Sequence, residues 1–454
     1  MSRPTVELTM IVRNGGPVLA RCLRSVRDVV DSILVGDTGS TDQSREVARE
    51  FGARVLDVPW KEDFSQARNS VLKASKADWV LWLDADEMLD PRGAAMISEL
   101  ICREDVDAWE VWRWNYVCSL NSRSGGLLAE PNPGLLDEAS EWPGYTRYLN
   151  TLLFRRLPGV YFENPVHETV ALRVRKLGMR AAEAPFVIHH FGFVEGGEEL
   201  RHAKNEHYHQ LGLKKVESNP RDAWAHYELG LSELEHRKNP AAALRRFEWS
   251  IGLDPGNRNA WIYAGLCYSR LGNPEAAQRC LDRVAQDGFQ SRMLAEVQGD
   301  LYFQKGDVEA AQRCFALAGN SPVMASKLGA CEVRMGHVAA GLRRIEDAVK
   351  REPQAGELVE IQAAALFESG QKDLAAEVAR RRLKLRDPQV SSFLVAAVLQ
   401  AHLGRWSEAV EVLEAGLSRY PENPVLEREV LIAEEKAAAA ATAPPQISDS
   451  PKPN

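Results

Sequence analysis

The sequence predicts two architectures in series: an N-terminal α/β domain on a Rossmann-like, mostly parallel sheet, and a C-terminal all-α solenoid of paired helices. Three observations predict them. Short apolar runs alternate with helical patterns from Val6 to about Asp105. One such run, Val80-Leu81-Trp82-Leu83, ends in the acidic series Asp84-Ala85-Asp86-Glu87. From about Asp222 the chain is helical throughout, with glycines in a repeating register.

Residues 6–12 form the first β-rich run, and residues 16–30 place Val18, Leu19, Cys22, Leu23 and Val26 on one helical face. A strand at 33–35 ends in Gly36-Asp37-Thr38-Gly39-Ser40-Thr41-Asp42. A helix over 43–51, a strand at 54–58, a helix over 65–74 and a strand at 79–83 follow. Strand–helix alternation predicts parallel pairing through right-handed crossovers. Ligands of such sheets sit beyond the carboxyl ends of the strands. After Asp105 the pattern changes. Residues 109–117 are a long aromatic-rich strand, and 119–145, rich in Gly, Pro, Asn and Ser, are expected to form a loop or lid. Strand-like runs return at 148–155, 166–174 and 185–193.

In the second half Gly272, Gly306, Gly336, Gly370 and Gly404 are spaced by 34, 30, 34 and 34 residues. Seven residues before each stands a small residue: Gly265, Gly299, Gly329, Ala363 and Ala397. Five after each stands another: Ala277, Ala311, Gly341, Ala375 and Ala409. Nine after, a larger apolar residue occupies four copies (Leu281, Phe315, Ile345, Leu413), and Ala379 the remaining one. This is the tetratricopeptide period, with small residues where paired helices touch and a turn glycine between them. An earlier copy begins at Trp224 and carries one inserted residue, which makes about six repeats. The expected domains are 1–196, a helical linker over 197–221, repeats over 222–436, and an Ala-, Pro- and Ser-rich tail over 437–454 expected to be disordered.

With 454 residues and a net charge of −8, the chain is not expected to present a broad nucleic-acid surface. Its seven cysteines form no C-x-x-C pair and are expected to be reduced core residues of a cytoplasmic protein. The N-terminus lacks the pattern of a secretion signal, and no apolar run reaches the ~18 residues of a membrane span.

The chemistry starts at Asp84 and Asp86. Two apart on a strand, they would share one face. A hard divalent cation on a diphosphate takes one or two carboxylates, with waters and phosphate oxygens completing its shell, and stabilises the departing charge. The competing assignment is an acidic turn with a helix cap before Pro91. Asp37, at the end of the second strand, is placed to accept hydrogen bonds from a base or ribose. Residues 38–42 equally suit a turn and helix cap.

Four segments now occur in order: Leu8-Thr9-Met10-Ile11-Val12-Arg13-Asn14, Asp37 to Asp42, Asp63-Phe64-Ser65-Gln66-Ala67-Arg68-Asn69, and Asp84 to Glu87. The series resembles family 2 glycosyltransferases, which have the nucleotide-diphospho-sugar (GT-A) fold. It looks most like the branch with tetratricopeptide repeats behind the catalytic domain, and the catalytic resemblance covers about residues 5–195. The resemblance implies a nucleotide-sugar donor, a UDP-sugar first. It implies that Val12, Arg13 and Asn14 line the nucleotide, that Asp37 holds the base, and that Arg68 and Asn69 lie near the base, ribose or diphosphate. Asp84 and Asp86 become the motif for a divalent metal, Mn or Mg. Asn164-Pro165-Val166-His167-Glu168 sits where the related branch has a His–Glu pair, so Glu168, or else His167, is the expected base of an inverting transfer. The competing assignment is an ordinary strand histidine beside an exposed glutamate. Ile188-His189-His190-Phe191-Gly192 resembles a late motif that supplies a further metal or diphosphate contact. Neighbouring strand residues face opposite ways, and His190 is the one expected to face the site.

The sequence departs from the family at Asn14-Gly15-Gly16, where an Asn followed by acidic residues is common, and it has no Gln-x-x-Arg-Trp motif, so processive polymerisation is not expected. The solenoid suggests a protein or peptide acceptor or partner. A cell-surface glycan precursor is the rival acceptor. The alternative class is a scaffold with an inactive sugar-nucleotide domain, against which the retained Asp37, Arg68, Asp84 and Asp86 stand. A nucleotidyltransferase would need a longer and more basic glycine-rich segment than Arg13-Asn14-Gly15-Gly16.

Overall fold

The first unit of the chain, Met1–Phe289, holds the α/β domain together with two helix pairs of the repeat region; the second is Gln290–Asn454. The computed structural model describes residues 3–442 apart from 121, 125–126, 196, 287 and 386–387. The unit boundary therefore falls inside the repeats, whereas the sequence pattern places its divisions near 196 and 222.

The strands are β1 (Val6–Val12), β2 (Ser32–Asp37), β3 (Arg54–Asp57), β4 (Trp79–Trp82), β5 (Glu87–Leu89), β6 (Ala108–Val117), β7 (Arg123–Ser124), β8 (Leu127–Leu128), β9 (Glu130–Pro131), β10 (Gly144–Arg155) and β11 (Ala181–His190). Among them run α1 (Gly16–Val26), α2 (Ser44–Glu50), α3 (Phe64–Ala74), α4 (Pro91–Leu100) and α5 (Ala171–Lys176). The main sheet has the order β3-β2-β1-β4-β10-β6-β11-β5, with β9 on β10. From β3 to β4 all pairs are parallel. Beyond β4 the sheet is mixed: β10 opposes β4 and β6, β11 runs with β6, and β5 opposes β11. The parallel half is the part in which helices carry the chain back between strands, and β6 reaches β10 without such a helix.

Leu8, Met10, Leu19, Leu23, Trp79, Leu81, Leu153 and Phe154 fill the core between this sheet and its helices. Three expectations change. Residues 166–174 are not a strand: Glu163 and Thr169 form one isolated bridge and α5 begins at Ala171. Residues 119–145 are not a bare loop, because the β7–β8 hairpin, β9 and a 3-10 turn at Asp137–Ala139 lie within them, and Ala139 and Tyr145 are buried. Of the cysteines, all free, Cys102 and Cys118 are exposed rather than in the core.

The helix α6 (Gly197–Ser218) leads into the pairs α7 (Ala223–Glu235) with α8 (Pro240–Leu253) and α9 (Arg258–Arg270) with α10 (Pro274–Ala285). The second unit continues with α11 (Arg292–Lys305), α12 (Val308–Ala318), α13 (Pro322–Arg334), α14 (Val338–Arg351), α15 (Gly356–Glu368), α16 (Lys372–Leu383), α17 (Val390–His402), α18 (Trp406–Arg419) and α19 (Pro424–Thr442). The helix α19 runs past the expected repeat end at 436, and the rest of the expected tail, 443–454, lies outside the described residues. Among the described residues no helix is long and apolar enough to cross a membrane.

The glycine register has a physical cause at each position. The turn glycines 272, 306, 336, 370 and 404 all take left-handed φ, from 73° to 89°. In the earliest copy Lys238 takes that role at φ 52°. The small residues seven positions earlier receive the large residue of the partner helix. A Cβ on Gly299 would lie 2.5 Å from the Phe315 ring, and one on Gly329 2.8 Å from Ile345. Gly299→Ala sets a helix-propensity gain of about 1 kcal/mol against overpacking of about 1–3 kcal/mol. A net loss of about 1 kcal/mol is expected, and about 3 kcal/mol for Gly299→Val, read by urea denaturation of the full chain.

Candidate active site

The carboxyl ends of the parallel strands build one wall. Val12 pairs with Asp37, and Asp37 with Asp57. The Val12 carbonyl accepts from the Thr38 amide at 2.9 Å. Asn14, at φ 54°, accepts the Thr41 amide on Oδ1 at 2.8 Å, and its own amide donates to Ser40 Oγ at 3.0 Å. Asp37 is buried; its Oδ1 accepts the Ser40 amide at 3.2 Å, and Arg45 Nε stands 3.6 Å from Oδ2. Asp37 thus makes the turn contacts that the alternative assignment predicts, at the strand end that the nucleotide assignment predicts. Arg13 is exposed beside it. The departure at Gly15 has a steric reason: a Cβ there would lie 2.8 Å from Val12 Cγ2 and 3.2 Å from Ala85 Cβ, where the first loop packs on the acidic turn.

The acidic triplet does not lie on a strand. β4 stops at Trp82, and the Glu87 amide closes a turn on the Asp84 carbonyl at 3.1 Å. The two carboxylates therefore point to different partners instead of sharing a strand face. Asp84 pairs with Arg68, and Arg113 stands 4.0 Å from its other oxygen. Burial works against the ionised form of Asp84, but the charges of Arg68 and Arg113 outweigh it and hold the carboxyl below its ordinary range.

Asp86 faces His190, with Oδ1 3.4 Å from Nε2. His190 Nδ1 meets Asn115 Oδ1 at 2.6 Å, so Nδ1 carries a proton. Burial works against the charged ring, but the Asp86 carboxylate beside Nε2 outweighs it and raises the pKa, so Nε2 must release its proton before it can hold a cation. A Cβ on Gly192 would come within 2.7 Å of His190 Nε2 and nearer still to Asp86, so glycine keeps this corner open. Among the described residues no group of three His, Cys, Asp or Glu is placed to hold a metal ion. A carboxylate and an imidazole fit a cation that takes its other ligands from a diphosphate and water. His189 points the other way: it is buried against the Tyr116 hydroxyl at 2.8 Å, and burial pulls its pKa down to about 4.

Arg68 is the hub. Buried on α3, it lies 4.3 Å over the Trp82 ring, ion-pairs Asp84, and donates from Nε to Glu168 Oε1 at 2.6 Å. The Glu168 segment is held in an unusual conformation, with Asn164 at φ 77° and His167 at φ 53°. Asn69 holds it there: its Nδ2 donates to the Phe162 carbonyl at 2.9 Å and its Oδ1 accepts the Phe162 amide at 2.7 Å. The Phe64 amide adds a bond to the Pro165 carbonyl at 3.0 Å. Asn69 therefore spends its amide on the backbone of the segment that carries Glu168. His167 is exposed and stacks on α6, which leaves Glu168 as the member of the pair joined to the carboxylate–arginine network.

Three further residues belong to this network. Arg113 on β6 ion-pairs the fully buried Glu87 and donates to the Tyr148 hydroxyl at 2.5 Å. Burial pushes Glu87 up to about 7 against the pull of Arg113. The signal for Arg113 was present as one cation inside the aromatic run Trp109–Tyr116. Glu87 stood next to the triplet, and Tyr148 carried no signal of its own.

Residues 8–157 match the family model for glycosyl transferase family 2, and residues 234–300 and 331–390 match models of the tetratricopeptide repeat. A TPR repeat-containing protein of Synechococcus elongatus is 34% identical over 232 residues, which are 50% of this chain and 51% of that one. The SPbeta prophage-derived glycosyltransferase SunS of Bacillus subtilis is 30% identical over 99 residues, 21% of this chain and 24% of SunS. The chain thus spans about half the length of the first relative and less of the second. Among solved structures, a tetratricopeptide repeat protein from Parabacteroides merdae shares 14% identity at a TM-score of 0.41, covering 52% of this chain and 94% of that one.

Proposed function

We propose that this chain, which carries a family 2 glycosyltransferase domain ahead of tetratricopeptide repeats, transfers a sugar from a nucleoside diphosphate donor, a UDP-sugar first, to an acceptor with inversion. The nucleotide lies along the ends of β1 and β2, against Val12, Arg13, Asn14 and Asp37. Asp86 and His190 would hold a divalent cation, Mn or Mg, which supplies charge neutralisation at the diphosphate. Glu168 Oε1 is committed to Arg68, and Oε2 takes the acceptor proton. The acceptor atom then bonds to the anomeric carbon as the carbon–oxygen bond to the diphosphate breaks, and the electron pair leaves on phosphate oxygen. Arg68 and Arg113 keep Asp84 ionised, which fixes the turn carrying Asp86. Asn69 sets the position of Glu168 through Phe162. The repeats present a protein or peptide acceptor.

The observation that carries this reading is the double ion pair of Arg68, which ties a carboxylate of the acidic turn to the proposed base in one buried site. It is tested by a hydrolysis screen of several nucleotide sugars with manganese or magnesium. Turnover of a UDP-sugar that stops on chelation is the expected result. Absence of both turnover and metal-dependent UDP binding by calorimetry would favour a scaffold and sink the proposal.

A further inference from the structure

The helix α6 looks from its sequence like a charged connector, yet it forms a wall of the site. Tyr208 on α6 stacks 6.3 Å from His167, at an interplanar angle of 22°, and 6.0 Å from Phe64. Phe64 is the first residue of α3, the helix that carries Arg68, and His167 adjoins Glu168. Lys214, further along α6, ion-pairs Glu62 just before α3. Below the site, α6 is fastened to α7 by Lys215 on Glu228 at 2.7 Å and by His209 on Ser232 at 3.1 Å. The position of Tyr208 is therefore fixed from both sides. Its rings of contact account for the aromatic face only. Among the described residues its hydroxyl has no hydrogen-bond partner. Burial, and after it the charges of Asp84, Glu168 and Asp86, keep the phenol protonated well above its ordinary range. A protonated donor without a partner, held within the field of the proposed base, suits a ligand that arrives beside that base.

We propose that Tyr208 is an acceptor-site residue: its phenol O–H donates to the acceptor group that Glu168 deprotonates and holds it in line for attack. This deepens the transferase reading and rests on it. Its consequence is that the helix entering the repeats also completes the acceptor site, so the acceptor meets α6 and the α/β domain together.

The test uses the full chain and the UDP-sugar turned over in the donor screen, with water as the acceptor probe. Tyr208→Phe keeps the ring on His167 and removes only the hydroxyl. The expected result is a kcat for donor hydrolysis lower by about tenfold or more, with donor KM and UDP–manganese affinity within about twofold and Tm unchanged. Tyr208→Ala should lose the same kcat and lower Tm as well, which separates the ring's packing from the hydroxyl's role. A Tyr208→Phe enzyme with kcat within about twofold of the parent overturns the proposal. A loss carried by weaker UDP binding also overturns it, by placing the hydroxyl on the donor. A parent chain that neither binds UDP with manganese nor turns over any donor fells the transferase reading and this one together.

Discussion

Asp86→Ala is expected to lower metal-dependent donor turnover by about a thousandfold or more, equivalent to roughly 4 kcal/mol of lost transition-state stabilisation. Asp86 sits in a turn, partly exposed, with its carboxylate toward His190 rather than toward the core. Its removal opens no cavity, so Tm should stay close to that of the parent. The histidine supplies the internal comparison: His190→Ala should weaken manganese dependence in the same direction, because both side chains line the corner kept open by Gly192. His189→Ala should instead cost stability, since that ring is buried on Tyr116. The measurements are initial rates of donor hydrolysis across a manganese titration, with thermal denaturation alongside. Full turnover by Asp86→Ala at saturating manganese would remove the metal assignment.

Arg68→Met should damage fold and activity together. The guanidinium is buried and ion-pairs Asp84 and Glu168 at once. Removing one partner of a buried ion pair typically costs 3–5 kcal/mol, because the remaining charge is left without compensation. The lower end, about 3 kcal/mol, is expected here, since Asp84 is a third exposed and solvent screens part of its charge. The pH dependence has a definite sign. In the parent, Asp84 has a folded pKa below its unfolded value. Its contribution to stability is therefore present above the unfolded pKa and fades as pH falls through the folded one. In the variant Asp84 loses the charge of Arg68 and takes up a proton more readily, so the stability gap between parent and variant should be widest near neutral pH and narrow toward acid. Urea denaturation at several pH values reads this directly. A gap that does not change with pH would show that Arg68 acts through packing on Trp82 alone. Donor turnover should fall as well, because Glu168 and the acidic turn lose their common anchor.

The two variants probe features that differ in how far the sequence reveals them. The repeats were legible nearly to the residue. Each turn glycine answers a local demand for left-handed backbone, and each small residue faces a partner about sixteen positions away, as Gly299 faces Phe315. Requirements met within one helix pair leave a periodic trace. The parallel half of the sheet was legible for a similar reason, since strand and helix alternate over short distances. The acidic triplet was visible because it ends a buried strand.

Which charge meets which could not be read in the same way. Arg68 and Glu168 are 100 residues apart, Asn69 and Phe162 are 93 apart, and Tyr208 comes from a helix whose sequence shows no apolar face. The shared face expected for Asp84 and Asp86 failed because the chain turns after Trp82, one residue earlier than the apolar run suggests. The sequence settled the kinds of groups present, the strand–helix order and the repeat register, all of which depend on near neighbours. Folding assigned the roles: Asp84 to the arginines, Asp86 to His190, Asn69 to a backbone clamp, and α6 to the site. Those assignments depend on where distant segments come to lie, and a buried charge takes its partner from whatever the fold brings within reach.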